Sequence, residues 1–390
     1  MRIAVVSTMA GTPWGGSEEL WAAMAEAALA DGHQVAVFVP RWPGIPPRLA
    51  ALAARGARVH RRARRSARRL AEELAGRVLR RPARLPVPLS AGPFRALPRF
   101  RPDAVLLSEG GLYSFPQVGE VCGWLESSGT PFVAVCQALL DGTHLADGPR
   151  VRAAEFYARA HRVAFVARGN LESARRQLAA PLANAVVVRN PVNLADLSPV
   201  PWPPAGPARL ASVGRLSVPL KGQDLLLEAL AGAAWRERDW RLSLFGAGED
   251  EGYLRALARH LGVEERVAFR GQVADVRGIW AESELLVMPS RGEGTPLALV
   301  EAMLCGRPAV VTDVGGNAEW VTEGETGFVA EAATVRSFGA ALQRAWAARR
   351  EWPELGARAR GAALGLYDPA PERTLLKLVL EAAGRSGKGS

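Results

Sequence analysis

Residues 290–312 read SRGEGTPLALVEAMLCGRPAVVT, and they hold a loop, a helix and the start of another strand. The apolar run Leu285–Met288 comes directly before them and is typical of a buried strand. In the loop, Thr295 is a favoured helix N-cap residue and Pro296 is a favoured first helical residue. We therefore predict a helix over Leu297–Cys305 with a strand after it. This succession of strand, helix and strand is the unit of an α/β fold.

Two glutamates and a helix N-terminus give this junction chemical capacity. Glu293 lies in the loop, where it would face a ligand in the cleft at the strand ends. Glu301 lies inside the helix. The first backbone N–H groups of a helix have no partner within it, so this end suits phosphate. The residues expected around the phosphate are Gly294, Thr295, Pro296 and Leu297.

The same alternation of strands and helices extends over the whole chain. Short Val-rich runs recur without polar alternation, as expected for parallel strands buried on both faces. Those in the first half are Ile3–Val6, Val35–Val39, Ala104–Leu107, Phe132–Val135, Val163–Val166 and Val186–Val188. Those in the second half are Leu210–Val213, Arg241–Phe245, Val267–Phe269, Leu285–Met288 and Ala309–Thr312. Helical patterns separate them, so the sequence predicts doubly wound parallel sheets.

A proline-rich segment divides the chain into two parts. Six prolines fall between residues 191 and 207, a density that is typical of a linker. We predict two Rossmann-like domains that face each other across a cleft, over residues 1–198 and 207–366. A C-terminal helix, about residues 369–384, is expected to pack back on the first domain. Ligands of such sheets bind at the carboxyl ends of the strands, so the cleft is the predicted site.

A glycine pair follows the first strand. Gly15 and Gly16 would let a ligand approach the backbone closely, and Ser17 would cap the helix that follows. An ordinary tight turn explains the pair equally well, because two adjacent glycines are a weak signal.

Two cations follow the first strand of the second half. Gly214 and Arg215 come directly after that strand, and Lys221 stands before the next helix. Arg with its planar fork and Lys as a point charge can bracket a pyrophosphate. Solvated loop charges are the alternative. Only 3 of the 49 basic residues are Lys, which makes Lys221 harder to attribute to composition.

Composition excludes several classes of protein. The chain of 390 residues has a mean hydropathy of +0.01 and no apolar stretch near the ~18 residues of a membrane span. Its start lacks the h-region and cleavage site of a signal peptide, so we expect a cytoplasmic protein. Three cysteines without C-x-x-C spacing indicate neither a disulfide framework nor a zinc site.

The formal net charge of +10 is concentrated in one segment. Residues 51–85 hold twelve Arg and two Glu. On a helix over residues 61–81, apolar residues line one side and Arg the other, which favours contact with an anionic membrane at its inner face. A helix packed on its own domain with a solvated Arg face is the alternative. No nucleic acid partner is expected, since no aromatic residues interleave and no fold motif matches.

Taken in order, these elements resemble glycosyltransferase family 4, retaining enzymes of the GT-B fold. The hallmark of that family is a pair of glutamates separated by seven residues, the spacing of Glu293 and Glu301. The other matching elements are Gly15-Gly16-Ser17-Glu18, Asn190-Pro191-Val192-Asn193, Gly214-Arg215, Lys221-Gly222, Gly271-Gln272-Val273 and Gly315-Gly316-Asn317-Ala318-Glu319. The resemblance spans nearly the whole chain.

The resemblance implies transfer of a hexose from a nucleotide diphosphate-sugar to an acceptor. It implies that Arg215 and Lys221 hold the diphosphate and stabilise the charge of the leaving group. Glu293 would contact the donor sugar, and Glu301 would accept hydrogen bonds from the ribose hydroxyls. No cofactor and no metal would be needed. The sequence agrees with this independently, because none of its eleven Asp residues forms the D-x-D clamp of metal–nucleotide sites.

By the same resemblance, the second domain binds the donor and the first binds the acceptor. Val273 and Asp275 would frame the base. The family often has His-Asp after a strand of the first domain, where this chain has Cys136-Gln137. Gln137 and the later His144 are therefore our candidates on the acceptor side. The acceptor would be a glycan, a small molecule or a lipid-linked group.

Two alternatives to a transferase remain open. One is a sugar-nucleotide epimerase on the same fold. The other is a catalytically inactive module that binds a nucleotide sugar or a membrane surface. The intact set of Arg215, Lys221, Glu293 and Glu301 favours the transferase.

Overall fold

The structure is a computed structural model that describes residues 1–9, 13–62 and 93–386. Its first sheet is parallel, and its strands run in the order β3-β2-β1-β4-β5-β6-β7. Their bounds are β1 Arg2–Ser7, β2 Gln34–Pro40, β3 Arg58–Arg62, β4 Ala104–Glu109, β5 Phe132–Cys136, β6 Arg162–Phe165 and β7 Ala185–Val187. The order reverses at β1, which places a crevice beside its carboxyl end.

The second sheet is also parallel, in the order β10-β9-β8-β11-β12-β13. Its strands are β8 Ala208–Val213, β9 Trp240–Phe245, β10 Val267–Gly271, β11 Leu285–Met288, β12 Ala309–Thr312 and β13 Gly327–Ala330. Here the order reverses at β8, so the residues that follow β8 and β11 border the crevice.

Helices cover both faces of each sheet. Those of the first half are α1 Gly16–Ala30, α2 Pro47–Ala54, α3 Ala96–Phe100, α4 Gly119–Ser128, α5 Asp147–Arg159 and α6 Arg168–Leu178. Those that follow are α7 Val218–Lys221, α8 Gln223–Ala231, α9 Ala233–Arg236, α10 Glu251–His260, α11 Val276–Ala281, α12 Leu297–Leu304, α13 Asn317–Trp320, α14 Val335–Ala347, α15 Trp352–Leu366 and α16 Pro371–Ser386. Residues of β1 alternate between two buried clusters, Ile3 and Val5 in one and Ala4 and Val6 in the other. Each sheet is therefore the middle layer of three.

The last helix, α16, returns to the first sheet. Leu375, Leu376 and Val379 are buried in the same apolar cluster as β1 and α1. Arg373 forms an ion pair with Asp31, the residue that follows α1. The chain therefore passes between the two sheets twice.

The proline-rich segment is attached to the second sheet. Arg307 is fully buried, and its guanidinium donates hydrogen bonds to the carbonyl oxygens of Val200 (3.1 Å) and Pro201 (2.6 Å). It also donates to Trp280 (3.0 Å) and Ser283 (2.8 Å), and burial lowers its pKa to about 10. A buried guanidinium needs such partners, so it fixes the segment where the segment joins the domain.

Two edge strands lack the apolar run by which the other strands were predicted. β3 reads Arg-Val-His-Arg-Arg and β13 begins with a glycine, so neither shows the apolar run of a buried strand. Each pairs on one side only, where fewer apolar residues are needed. Arg61 and Arg62 lie in β3, so the predicted helix over residues 61–81 is wrong at its start. The remainder of that helix, residues 63–81, lies outside the described residues.

Two predicted helix caps are also wrong. The helix α1 begins at Gly16, and the extended Gly15 occupies the N-cap position, so Ser17 lies inside the helix. Pro296 is the N-cap residue of α12, and the helix begins at Leu297. The hydroxyl of Thr295 does not cap α12, because it donates instead to the carbonyl oxygen of Val166 in the first domain (2.6 Å).

Candidate functional site

The loop that follows β11 contacts the first domain directly. Leu139 pairs with Glu293 as an isolated antiparallel bridge. The side-chain amide of Asn170 donates to the carbonyl oxygen of Glu293 (3.1 Å). In α13 of the second domain, Glu319 accepts hydrogen bonds from the Gly169 N–H (2.8 Å) and from Arg189 (2.7 Å). The carboxyl ends of both sheets therefore meet around Glu293.

Glycines make this close approach feasible. A Cβ atom on Gly294 would overlap the carbonyl oxygen of Gln137, and one on Gly169 would overlap that of Gly315. Gly315 itself has a φ of 57°, in the left-handed region, and its backbone lies against that of Glu293. Four backbone segments thus lie in direct contact here.

The carboxylate of Glu293 is held at the centre of this junction. Its Oε1 accepts hydrogen bonds from Lys221 Nζ and from Ser290 Oγ, both at 2.6 Å. Only 6% of Glu293 is exposed, whereas Lys221 retains 28% of its side-chain surface. Within the part of the chain that the structure describes, one of the three N–H groups of the ammonium is used, so the others can donate to a ligand in the cleft.

Lys221 is brought there by the loop after β8. It is the last residue of α7, and Gly222 follows with a φ of 63°, its backbone close to that of Pro289. Gly214 has a φ of 154°, in the left-handed region that favours glycine, and lies beside the Lys221 side chain. Arg215 is half-buried between them, and its carbonyl oxygen accepts from Gln223 (2.8 Å).

A second loop, after β9, supports the first and was not singled out from the sequence. Glu249 accepts from Ser217 Oγ (3.0 Å) and Asp250 accepts from the Val218 N–H (2.7 Å). A Cβ atom on Gly248 would overlap the backbone of Leu216. The pattern Gly-x-Gly-Glu-Asp after a strand is the signal that could have identified this support.

Glu301 is buried in α12, with 4% of its surface exposed. Its Oε1 accepts hydrogen bonds from the backbone N–H (3.0 Å) and the side-chain amide (3.1 Å) of Asn193. Burial raises the pKa of Glu301 to about 7, although the two hydrogen bonds oppose that shift. At neutral pH, the protonated and ionised forms of Glu301 are therefore both populated.

Two helix N-termini face each other across the cleft. Gly16 opens α1 of the first domain, and a Cβ atom on it would lie 3.1 Å from the side chain of Leu297, which opens α12 of the second. The first turn of α12 contains no acidic residue. The first turn of α1 carries Glu18 and Glu19, so the N-terminus of α12 is the end that favours an anion.

Asp275 serves the local structure of the second domain. Its Oδ1 caps α11 by accepting from the Gly278 N–H (3.0 Å). Val273, two residues earlier, is 38% exposed on the loop after β10. Because Oδ1 caps the helix, the predicted contact of Asp275 with a base would use the other carboxylate oxygen.

The two candidates on the acceptor side differ in their surroundings. Gln137 is buried, and its Oε1 accepts from the side-chain amide of Asn190 (2.9 Å). His144 is exposed in the loop before α5. Gln137 thus belongs to the junction between the domains, whereas His144 stands at its periphery.

The first domain contains a buried acid, Glu109, that the sequence analysis did not identify. Glu109 ends β4 with no exposed surface. It accepts from Tyr157 Oη (2.9 Å), the Phe115 N–H (2.9 Å) and Ser114 Oγ (3.3 Å). Burial raises its pKa to about 7. Glu109 fixes the loop after β4 against α5.

This carboxyl predicts a pH dependence of stability. Because its pKa is raised from 4.5 to about 7 in the folded state, the folded state retains its proton more strongly than the unfolded chain. We expect the free energy of unfolding to fall as pH rises from 4.5 to about 7, by about 3 kcal/mol from this group. Denaturant titrations at several pH values should show a shallower fall in Glu109→Gln. The exposed Glu155→Gln should match the parent, and equal slopes in all three proteins would contradict the prediction.

Within residues 1–9, 13–62 and 93–386, no three His, Cys, Asp or Glu side chains are grouped as metal ligands. In the same residues, no helix combines the length and the apolar character that a membrane crossing requires.

Known proteins resemble the second half in sequence and the whole chain in fold. Residues 207–348 match the family model "Glycosyl transferases group 1". The chain is 37% identical over 132 residues to an exopolysaccharide phosphotransferase of Streptomyces coelicolor, 33% of this chain and 14% of that protein. It is 33% identical over 156 residues to a D-inositol 3-phosphate glycosyltransferase of Rhodococcus erythropolis, 38% of this chain and 35% of that protein.

A third relative is the phosphatidyl-myo-inositol mannosyltransferase of Mycobacterium leprae, 34% identical over 175 residues, 43% of this chain and 46% of that protein. The chain thus matches less than half the length of these relatives. The crystal structure of Anabaena HepE in complex with UDP-glucose superposes with a TM-score of 0.71 at 19% identity, over 98% of this chain and 99% of that one. The predicted GT-B fold of two Rossmann-like domains is confirmed.

Proposed function

We propose that this protein is a retaining glycosyltransferase of family 4 that transfers a hexose from a nucleotide diphosphate-sugar to an acceptor. The observation that carries the proposal is the pairing of Lys221 with Glu293 beside the N-terminus of α12. A cation, a carboxylate and a helix N-terminus then converge where the two sheets meet. The named relatives and the match to the group 1 model support the same activity.

The diphosphate would lie between the loop after β8 and the N-terminus of α12. Lys221 has N–H groups to spare beyond its bond to Glu293, and Arg215 stands at the start of the same loop. When the glycosidic bond breaks, negative charge grows on the leaving phosphate. Fixed cations and backbone N–H groups stabilise that charge more in the transition state than in the ground state. They would supply what a metal ion supplies elsewhere, so the proposed reaction needs none.

The nucleoside and the sugar would lie at opposite ends of the diphosphate. Glu301 has a buried carboxylate that can accept hydrogen bonds from ribose hydroxyls, and Val273 offers an exposed apolar surface to the base. Glu293 would face the sugar, where positive charge develops at the anomeric carbon. Its bonds to Lys221 and Ser290 fix its orientation before the donor binds.

The acceptor would enter from the first domain, near Gln137. The relatives from Rhodococcus and Mycobacterium are named for transfer to inositol compounds, one of them a lipid. We extend from this only that the acceptor is hydroxyl-bearing, as a glycan, a small molecule or a lipid-linked group. Contact of residues 61–81 with an anionic membrane, and with it a cytoplasmic location at the inner membrane face, stays a prediction.

A comparison of the two glutamates tests the proposal. Glu301→Gln should raise the donor KM more than it lowers kcat, because the ribose hydroxyls do not change during the reaction. Glu293→Gln should lower kcat with little change in affinity for the free nucleoside diphosphate, because its charge acts on the developing cation. Steady-state kinetics with UDP-glucose and GDP-mannose, and calorimetry with UDP and GDP, measure both effects. The reversed pattern would overturn the proposed orientation of the donor.

The same assays separate an enzyme from an inactive binding module. A module would gain stability from a nucleotide sugar, by about 2.7 kcal/mol at a ligand concentration of 100 Kd, without consuming it. Release of the nucleoside diphosphate, with or without an added acceptor, would exclude the module. Stabilisation without any turnover would exclude the transferase.

A further inference from the structure

We propose that Asn193 is a positioning residue for Glu301, and that it makes the segment 193–201 part of the nucleotide site. The inference rests on the proposed role of Glu301 toward the nucleoside. Its direct basis is that the backbone N–H and the side-chain amide of Asn193 donate to the same oxygen, Oε1, at 3.0 and 3.1 Å. Two donors on one oxygen fix the plane of the carboxylate.

The arrangement leaves the second oxygen of Glu301 for a ligand. Among the described residues, both hydrogen bonds to this carboxylate come from Asn193, and both go to Oε1. A ribose offers hydroxyl donors, and Oε2 is an acceptor whose direction Asn193 has already set. Preorganisation of this kind lowers the cost of binding, because the side chain has no rotamers left to lose.

The segment that carries Asn193 belongs to the second domain. Arg277 donates to the carbonyl oxygens of Asp196 and Ser198, both at 2.8 Å. Arg360 donates to that of Leu197 (2.8 Å), and Arg307 holds the segment's end. Asn193 and Glu301 therefore belong to the same domain.

The charge on Glu301 depends on the same two bonds. Burial raises its pKa, and the Asn193 donors oppose the rise because they favour the ionised form. Cys305, one turn later in the chain, shares an electrostatic interaction with Glu301. The charges of Arg277, Arg307 and Asp196 act on Cys305 in turn. With Asp at residue 193, two carboxyl groups would lie side by side. Because two negative charges at this distance repel each other, the pair would retain one shared proton.

The test measures nucleoside diphosphate affinity against pH in five proteins, the parent and four variants. Calorimetry with UDP, GDP and ADP selects the diphosphate that binds the parent best, and that one is carried through pH 6 to 8. The parent should bind more tightly as pH rises, since Glu301 ionises near pH 7. Asn193→Asp should bind at least about tenfold more weakly at pH 8 and regain affinity toward pH 6, an opposite slope. Asn193→Ala, which keeps the backbone donor, should lose about threefold at pH 8 and more toward pH 7, because removal of the side-chain donor raises the pKa of Glu301.

Two controls make the outcomes distinct. Asn184→Asp changes an amide that donates to the carbonyl oxygens of Tyr157 and Ala160 in the first domain, so it should keep the parent's affinity and slope. Because Asn193 is exposed, its substitution should not disturb the core. If Glu301→Gln weakens binding but Asn193→Asp behaves like the parent, the positioning role is overturned and the proposed function stands. If Glu301→Gln binds like the parent, the proposed role of Glu301 fails, and the inference fails with it.

Discussion

Lys221→Met should lower kcat/KM for sugar transfer by about 10²–10³-fold. The substitution removes the charge that we place on the leaving phosphate. It also leaves the buried carboxylate of Glu293 with Ser290 as its remaining partner, and truncating one member of such a pair costs about 2–5 kcal/mol. The first effect falls on the transition state, whereas the second also lowers the free energy of unfolding, because Glu293 is buried. Initial rates at limiting donor give the change directly.

A matched substitution controls for loss of a lysine as such. Lys377 is exposed on α16, far along the chain from the loop after β8, so Lys377→Met should retain the parent's kcat/KM. The double variant Lys221→Met with Glu293→Gln should lose less than the sum of the two single losses, since the pair acts together. Parental activity in Lys221→Met would remove the cation from the proposed site.

Gly294→Ala should reduce turnover by about 10²-fold while the protein stays folded. The new methyl group would overlap the carbonyl oxygen of Gln137 and lie 3.0 Å from Val166, both in the first domain. Backbone atoms cannot yield as side chains do, so the domains must separate. A misplacement of about 1 Å near reacting groups costs on the order of 10²-fold in rate.

Gly292→Ala is the control for this substitution. Its methyl group would meet the flexible end of Leu140, which is 44% exposed and can move aside. We expect near-parental kinetics from it, and thermal unfolding should show both variants folded. Comparable losses in the two variants would mean that the loop, and not the crossing of the two domains, determines activity.

The sequence predicts the two sheets well because their strands are continuous apolar runs. Strands such as β1, β4 and β11 are buried on both faces and therefore consist of continuous apolar residues. Such a run can be recognised in the local sequence without knowing which strands lie beside it. The edge strands β3 and β13 lack it, because β3 is largely polar and β13 begins with a glycine. Helix caps are harder to predict from sequence, because a hydroxyl near a helix N-terminus can form a hydrogen bond with another part of the fold. Thr295 does so with the carbonyl oxygen of Val166.

The part of the candidate site that could be predicted is the part whose residues are close together in the sequence. Glu293 and Glu301 share one strand-loop-helix unit, so their relation is local. The partners of these two acids are distant in the chain: Lys221 lies 72 residues from Glu293, and Asn193 lies 108 residues from Glu301. Lys221 could be suspected because lysine is scarce. Nothing in the local sequence marks Asn193 as a partner of Glu301, since that contact arises only when the linker folds onto α12.

The return of α16 to the first sheet determines how this protein can be recombined with others. A crossover at the proline-rich segment alone would transplant a helix whose apolar residues, Leu375 and Val379 among them, belong to a core left behind. A workable exchange takes residues 193–367 as one block and keeps α16 with its own first domain. The second domain is in effect an insertion into the first, with a boundary at each end, and a chimera must preserve both boundaries.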